Sequence, residues 1–268
     1  MKNFARKKIL ITGGASGIGK LMASNFAQRG AEVVIADINI EEAKKVVSEI
    51  KEFGGRAHAF YVDLADLESI KKCKSQVSAA GLAIDILINN AGVVFGGEFE
   101  KLPLEKHLLT YRINIDAMVA MTHLFFSDLR KSADANIVNI SSASGYVGLP
   151  YGTTYASSKW AVIGFSESLR LELMERGINN IHVTTVCPGY ISTGMFNGVK
   201  APLILPWLKA ETIVRKIILG MENNSPFVKE PFMVKTVDLL KGLLPLRIYV
   251  WVSKFLGVST SMTNWKGR

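Results

Sequence analysis

Cysteine is scarce in this chain: its 268 residues include two, Cys73 and Cys187, far apart and outside any CxxC or Cys/His metal spacing. Their placement excludes a disulfide framework and a structural zinc site, and points to a reducing, cytoplasmic setting. The histidines, His58, His107, His123 and His182, likewise lack ligand spacing, so no metal is expected. Long apolar runs are missing as well. Asp238, Lys241, Arg247 and Lys254 interrupt the apolar C-terminal stretch well short of the ~18 residues of a membrane span, so no transmembrane helix is expected. The basic segment before Ile9 runs too quickly into a glycine-rich turn to serve as an export signal. No repeat and no low-complexity linker divides the chain.

Apolar residues make up 49% of the sequence and charged residues 21%, which suits one sizeable α/β domain over 1–268 and leaves little for a second core. The net charge of +9 is concentrated late: residues 197–268 carry eleven Lys/Arg against four Asp/Glu. A basic tail is a solvated face or a surface for an acidic partner or an anionic membrane. Its aromatics sit in apolar runs and form no nucleic-acid motif, so nucleic acid is not an expected partner.

Short β-branched runs at 8–12, 32–37, 56–62, 84–89, 136–141 and 181–187 alternate with helical patterns near 17–29, 40–53, 66–80, 104–131, 154–176 and 210–223. Apolar strands separated by helices predict a single-domain, Rossmann-like doubly wound parallel sheet with helices on both faces. Residues 190–230 are expected to form a substrate lid, and 231–268 a helical, apolar, basic and amphipathic C-terminal extension.

The first strand ends in Thr12-Gly-Gly-Ala-Ser-Gly-Ile-Gly19 and a helix follows at once. Glycines there permit a tight turn and close approach of backbone to a pyrophosphate, so Gly13, Ser16, Gly17, Ile18 and Gly19 are candidate cofactor residues. Asp37 closes the next strand, where a carboxylate can accept hydrogen bonds from ribose hydroxyls and would repel a 2′-phosphate. With no Lys or Arg at Ile38 or Asn39, NAD is expected in preference to NADP.

Tyr155 and Lys159 lie four residues apart on one face of a predicted helix. An ammonium beside a phenol favours phenolate and would bring the tyrosine from about 10 to about 7–8, usable for proton transfer. Ser142 ends the strand before that helix, at the carboxyl edge where ligands bind. Its neighbour Ser141 is the other candidate; one of the two faces the substrate and the other is structural.

These motifs, with Asp63-Leu64, Asn89-Asn-Ala-Gly92, Asn114, Tyr155-Ala-Ser-Ser-Lys159 and Pro188-Gly-Tyr-Ile-Ser-Thr193 in order, make the chain resemble the short-chain dehydrogenase/reductase family over about 8–193. The resemblance implies that Ser142 orients the substrate, Tyr155 transfers the proton, and Lys159 serves the cofactor ribose and the tyrosine. It also implies that Asn114 holds a water in a proton relay. By the same analogy Asp63 and Leu64 lie at the adenine, Asn90, Ala91 and Gly92 line the cofactor cleft, and Pro188, Gly189, Ile191 and Thr193 border the nicotinamide end. The implied reaction is NAD-linked interconversion of an alcohol and its carbonyl.

Beyond Thr193 the lid carries Met195 and Phe196, the candidate substrate contacts, then Pro202-Leu-Ile-Leu-Pro-Trp-Leu208. An apolar lid predicts an apolar substrate. Thr193-Gly-Met-Phe, the Pro-Leu-rich stretch, Leu244-Pro-Leu and Phe255-Leu-Gly resemble the retinol and hydroxysteroid dehydrogenase branch, which implies a lipid, steroid or retinoid-like alcohol. Two other readings are an NADPH-dependent 3-oxoacyl (acyl carrier protein) reductase, which Asp37 and Ser16 disfavour, and a non-catalytic nucleotide-binding regulator, which the intact Ser142, Tyr155 and Lys159 disfavour. The long apolar helices at 104–131 and 154–176 predict a homodimer or homotetramer, and the basic tail predicts peripheral contact with a membrane surface.

Overall fold

Strand β1, Lys8–Thr12, sets the pattern of the molecule: Ile9 and Ile11 point into one apolar core and Leu10 into another on the opposite face. The period of two along a strand divides its side chains this way, and each fully buried Ile or Leu contributes roughly 1.5–3 kcal/mol. In the computed structural model, which describes residues 3–199, 201–202, 205–258, 261–262 and 265, the same division recurs across a seven-stranded parallel sheet. Lys200, Leu203 and Ile204 of the expected lid, and Lys266 and Arg268 of the basic tail, lie outside the described residues.

Six further strands follow: β2 Glu32–Asp37, β3 Arg56–Tyr61, β4 Ile86–Asn89, β5 Ala135–Ile140, β6 Ile181–Pro188 and β7 Phe227–Glu230, in the spatial order β3-β2-β1-β4-β5-β6-β7. The order reverses between β1 and β4, which pair through Ile9↔Ile86 and Ile11↔Ile88. A crevice opens outside the carboxyl ends of the strands at such a reversal. Helices α1 Gly17–Gln28, α2 Ile40–Glu52, α3 Leu67–Ala79, α4 Leu104–Tyr111, α5 Ala117–Lys131, α6 Thr153–Glu175 and α7 Ala210–Glu222 cover the two faces. Local chemistry fixes their starts: Asn39 accepts from the Glu42 N–H at 3.1 Å ahead of α2, and Asp66 accepts from the Glu68 N–H at 3.0 Å ahead of α3.

The sequence pattern misses β7 and misplaces several ends. β7 is an edge strand of four residues, paired on one side only, with Lys229 and Glu230 charged and Val228 alone buried, so it carries no alternating apolar signal. Its partner Val186 continues the register, and α7 packs Ile213, Val214, Ile217 and Met221 into the core that β1 and α1 share. Residues 210–230 therefore complete the sheet and its cover. The expected single helix over 104–131 is α4 and α5 joined by a π turn, Arg112–Asp116. The break falls at Asn114, which periodicity does not reveal. π turns of this kind often accompany functional sites. Short helices α8 Val237–Leu243 and α9 Leu246–Phe255 close the chain without burying a residue. No helix among the described residues is long and apolar enough to cross a membrane.

Candidate active site

The turn after β1 is shaped by what cannot fit in it. Gly13 has φ +63°, and a Cβ there would stand 3.0 Å from the Ala91 Cα. A Cβ on Gly19 would lie 2.1 Å from the Gly13 carbonyl oxygen, so the first turn of α1 packs against the glycine loop only without a side chain. Thr12 and Asn90 lock the arrangement. The Asn90 and Ala91 N–H groups donate to Thr12 Oγ1 at 3.0 and 3.1 Å, while Asn90 Nδ2 donates to the Thr12 and Gly13 carbonyls at 2.9 and 3.0 Å.

Helix α1 starts at Gly17 with no side-chain cap from Ser16 and no acid in its first turn. An N-terminus left this way, over a glycine cradle that any Cβ would fill, suits the phosphates of a dinucleotide. Asp37 sits at the end of β2 with Oδ2 accepting from the Ala15 N–H at 3.0 Å and Oδ1 from the Asn39 N–H at 2.9 Å. Its carboxylate braces the glycine turn while facing the cleft.

That cleft, of about 310 Å³, is lined by Gly13, Ser16, Gly17, Ile18, Asp37, Asp63, Leu64, Asn90, Ala91, Gly92, Ser142, Tyr155, Lys159, Pro188, Gly189, Ile191, Thr193, Met195 and Phe196. Residues from seven separate stretches of sequence thus meet on one surface. Of the expected site residues, Gly19 and Asn114 stand behind the wall. Ile38, Val62, Val93, Ile113 and Ile140 also line the cleft and are missed by motif reading, being ordinary apolar residues one position from a motif.

At the far end, Ser142 follows β5 in extended conformation and accepts from the Ser144 N–H at 3.2 Å, capping the short turn Ala143–Gly145. Ser142 and Tyr155 stand together in the walls of both the cleft and the neighbouring cavity. The adjacent serine has the structural role: Ser141 Oγ donates to the Lys159 carbonyl at 2.8 Å and ties β5 to α6. Lys159 is buried, with Nζ donating to the Ile140 carbonyl at 2.9 Å and lying 5.8 Å from the Tyr155 ring centre. Burial pushes the lysine down to about 8.

Tyr155 departs from expectation. Burial pushes its phenol up to about 12, against the smaller opposing influence of the Ser142 and Ser144 hydroxyls, whereas the sequence reading places it below its ordinary value. The four-residue spacing does bring the two side chains together, but the ammonium's hydrogen bond goes to the backbone of β5. Removal of the phenol from water then sets the direction of the shift.

Asn114 gives its whole side chain to the framework. Oδ1 accepts from the Val93 N–H at 2.8 Å, and Nδ2 donates to the Val93 carbonyl and to Ser158 Oγ, each at 3.0 Å. A Cβ on Gly92 would come within 3.2 Å of Asn114 Oδ1 and 3.4 Å of Lys159 Nζ, so Gly92 leaves room beside both the amide and the ammonium.

On the other side of Tyr155 and Ser142 lies a smaller cavity of about 40 Å³, walled by Val147, Leu149, Tyr190, Phe196, Pro202, Leu205, Val258 and Ser261. Its rings interlock: Phe196 stands edge-on to Tyr155 at 5.9 Å and to Tyr190 at 5.2 Å. Tyr190 also donates to Ser261 Oγ at 2.9 Å, which pins the end of the chain to the cavity wall. Val258 and Ser261 come from more than sixty residues beyond Phe196 and carry no motif, so sequence reading passes over them. Among the described residues, no three His, Cys, Asp or Glu side chains converge to hold a metal ion.

Comparison with known proteins agrees with this geometry. The family described as short chain dehydrogenase matches residues 7–203. Epidermal retinol dehydrogenase 2 of Mus musculus is 34% identical over 96% of this chain and 84% of its own length. Estradiol 17-beta-dehydrogenase 11 of Homo sapiens is 29% identical over 96% and 85%. A short-chain dehydrogenase/reductase from Burkholderia phymatum, solved in complex with NAD, superposes with a TM-score of 0.81 at 21% identity, covering 94% of this chain and 97% of that one. A short-chain dehydrogenase from Sphingobium yanoikuyae in complex with NADPH gives 0.77 at 25% identity, covering 92% and 95%. The chain belongs to the short-chain dehydrogenase/reductase family, on its retinol and hydroxysteroid dehydrogenase branch, and is an oxidoreductase of CH–OH groups.

Proposed function

We propose that this oxidoreductase uses NAD to interconvert an apolar primary or secondary alcohol, of lipid, steroid or retinoid type, and its carbonyl. One observation carries the proposal: Tyr155 and Ser142 form the common wall of the nucleotide cleft and the apolar cavity, so one proton-transfer pair faces both partners of the reaction.

Gly13, Ser16, Gly17 and Ile18 would hold the pyrophosphate, Asp37 the adenosine ribose, Asp63 and Leu64 the adenine, and Asn90, Ala91 and Gly92 the floor of the cleft. Lys159 would hold the second ribose, and Pro188, Gly189, Ile191 and Thr193 the carboxamide end. When bound, the nicotinamide ring would supply the hydride chemistry. Ser142 and Tyr155 hold the substrate oxygen. In the oxidising direction Tyr155 accepts the hydroxyl proton; in the reducing direction it returns it. Lys159 keeps a positive charge near the phenolate as it forms. Asn114, bonded to Val93 and to Ser158 one residue before Lys159, would hold a water in the proton relay.

Asp37 supports NAD over NADP, because a 2′-phosphate would meet a carboxylate already fixed by two N–H groups. The apolar character of the cavity, with Phe196, Tyr190 and Leu149 in its wall, supports an apolar alcohol. Ile191, Thr193, Met195 and Phe196 in the cleft lining support the cover role of the segment after Tyr190. Exposed Leu108, Tyr111, Val119 and Leu171 on α4 to α6 support a homodimer or homotetramer, and we place the enzyme in the cytoplasm, at membrane surfaces.

The test is a screen of long-chain, steroid and retinoid alcohols with NAD and with NADP, beside fluorescence titration of both cofactors. Turnover with NAD and tighter binding of NAD are expected. A clear preference for NADP would favour the 3-oxoacyl reductase reading instead.

A further inference from the structure

One hydroxyl beside Ser142 and Tyr155 has no partner. Ser144 is 7% exposed, and its Oγ is out of reach of solvent and makes no hydrogen bond. Leaving a buried hydroxyl unpaired costs stability that an alanine would not lose, so such a group calls for a reason.

A loose turn is not that reason, because backbone fixes the position of Ser144 on every side. The Ser144 N–H donates to Ser142 Oγ at 3.2 Å, and its carbonyl accepts from Trp160 Nε1 at 2.8 Å. The next residue, Gly145, has no room for a side chain: a Cβ there would stand 2.6 Å from Ile163 Cδ1 and 2.8 Å from the Lys159 carbonyl oxygen. The turn Ala143–Gly145 is thus fastened to the stretch of α6 that carries Lys159 and Trp160, and Ser144 Oγ takes no part in holding it.

Ser144 and Tyr155 line the same apolar cavity, and the Ser144 hydroxyl, like that of Ser142, works against the effect of burial on the phenol. The other polar groups nearby are engaged. Lys159 Nζ donates to the Ile140 carbonyl at 2.9 Å, Tyr190 donates to Ser261 Oγ at 2.9 Å, and Ser142 Oγ accepts from the Ser144 N–H. Lys159 and Tyr190 are also the titratable groups beside the phenol. No carboxylate among the described residues lines the cavity, and Cys187, which acts on Lys159 from the end of β6, is pushed up to about 12 by burial and stays neutral.

We propose that Ser144 is a positioning residue of this reaction: its hydroxyl turns to donate to the Tyr155 oxygen when the phenol gives up its proton, and so stabilises the buried phenolate. This role depends on Tyr155 being the proton-transfer group, as in the function proposed above. A phenolate only accepts hydrogen bonds, and its charge strengthens each one. The hydroxyl that lacks a partner beside the neutral phenol gains one in the ionised state, while Ser142 remains with the substrate oxygen. Ser144 keeps its own proton throughout.

The test compares wild type with Ser144→Ala by kcat/KM for oxidation of a long-chain alcohol with NAD from about pH 6 to about pH 10. The variant loses about threefold to tenfold near neutral pH, the loss shrinks as pH rises, and the pH at which the rate levels off moves up by about one unit. Its melting point is no lower than that of the wild type. In a Tyr155→Phe background the same substitution changes the residual rate by less than about twofold, because the group it serves is gone. A loss of equal size at every pH, a lowered melting point, or a loss that multiplies with that of Tyr155→Phe makes Ser144 structural and overturns the proposal, as does a profile identical to the wild type. An inactive Tyr155→Phe beside an unaltered Ser144→Ala profile removes this inference alone, whereas a Tyr155→Phe that keeps most of its activity removes the proposed function with it.

Discussion

The half of the cleft proposed for the cofactor and the half proposed for the substrate are built by opposite means. From β1 to α6 the wall is backbone: glycines whose missing Cβ atoms leave no slack, and an Asn90–Thr12 hydrogen-bond lock that holds the loop to within an atom's width. From Tyr190 to Ser261 it is side-chain surface, aromatic rings edge to face, with the Tyr190–Ser261 contact as its main polar tie. A wall of backbone admits one kind of ligand. A wall of apolar side chains sorts ligands by size and hydrophobicity, and can be rebuilt without disturbing the chemistry. The two meet at Ser142 and Tyr155.

The contrast can be broken most severely at the meeting point. Tyr155→Phe keeps the ring packing against Phe196 and removes the proton carrier, so kcat/KM is expected to fall about 10³-fold with NAD affinity unchanged, measured by steady-state kinetics beside fluorescence titration. Retention of a tenth of the activity would mean that another group moves the proton. Next in size is Gly19→Ala, whose added methyl would lie 2.1 Å from the Gly13 carbonyl oxygen. Opening the loop to relieve it is expected to weaken NAD binding by about tenfold to a hundredfold, on the usual 1–3 kcal/mol scale of overpacking. Phe196→Ala, on the other wall, should raise KM for an apolar alcohol about tenfold while kcat changes little.

These expectations differ in how far they are visible without coordinates. The glycine turn, Asp37, Ser142 and the Tyr155/Lys159 pair were legible because close backbone approach and proton transfer each demand particular residue types at fixed spacing. The choice between Ser141 and Ser142 needed the structure, since both follow the same strand and the hydrogen bond to the Lys159 carbonyl separates them. The short edge strand β7 and the π turn at Asn114 escaped because neither alters the apolar period that sequence reading relies on. Leu149, Val258 and Ser261 escaped because any apolar or small residue fills a cavity wall equally well, and nothing in their spacing marks them.

The tyrosine's acidity is a different kind of miss. Spacing reveals that Lys159 is near, whereas burial, which sets the direction of the tyrosine's shift, depends on everything packed around the ring. The same burial leaves a signature in stability. Lys159 titrates near 8 in the folded chain and near about 10.4 when unfolded, so between those values the unfolded state binds the extra proton. Stability attributable to this group therefore rises with pH from 8 towards 10, by at most about 1.4 kcal/mol per pH unit. Lys159→Met should flatten that rise in urea melts taken across the window; an unchanged slope would place the lysine's titration elsewhere.

The central claim, that a fixed proton-transfer pair serves an apolar substrate side, is tested most directly by kcat/KM along a series of primary alcohols of increasing chain length with NAD. Each added methylene is predicted to raise kcat/KM about threefold to fourfold until the cavity is filled, in line with ~0.8 kcal/mol per buried methylene. A series that stays flat or falls with length would contradict the account.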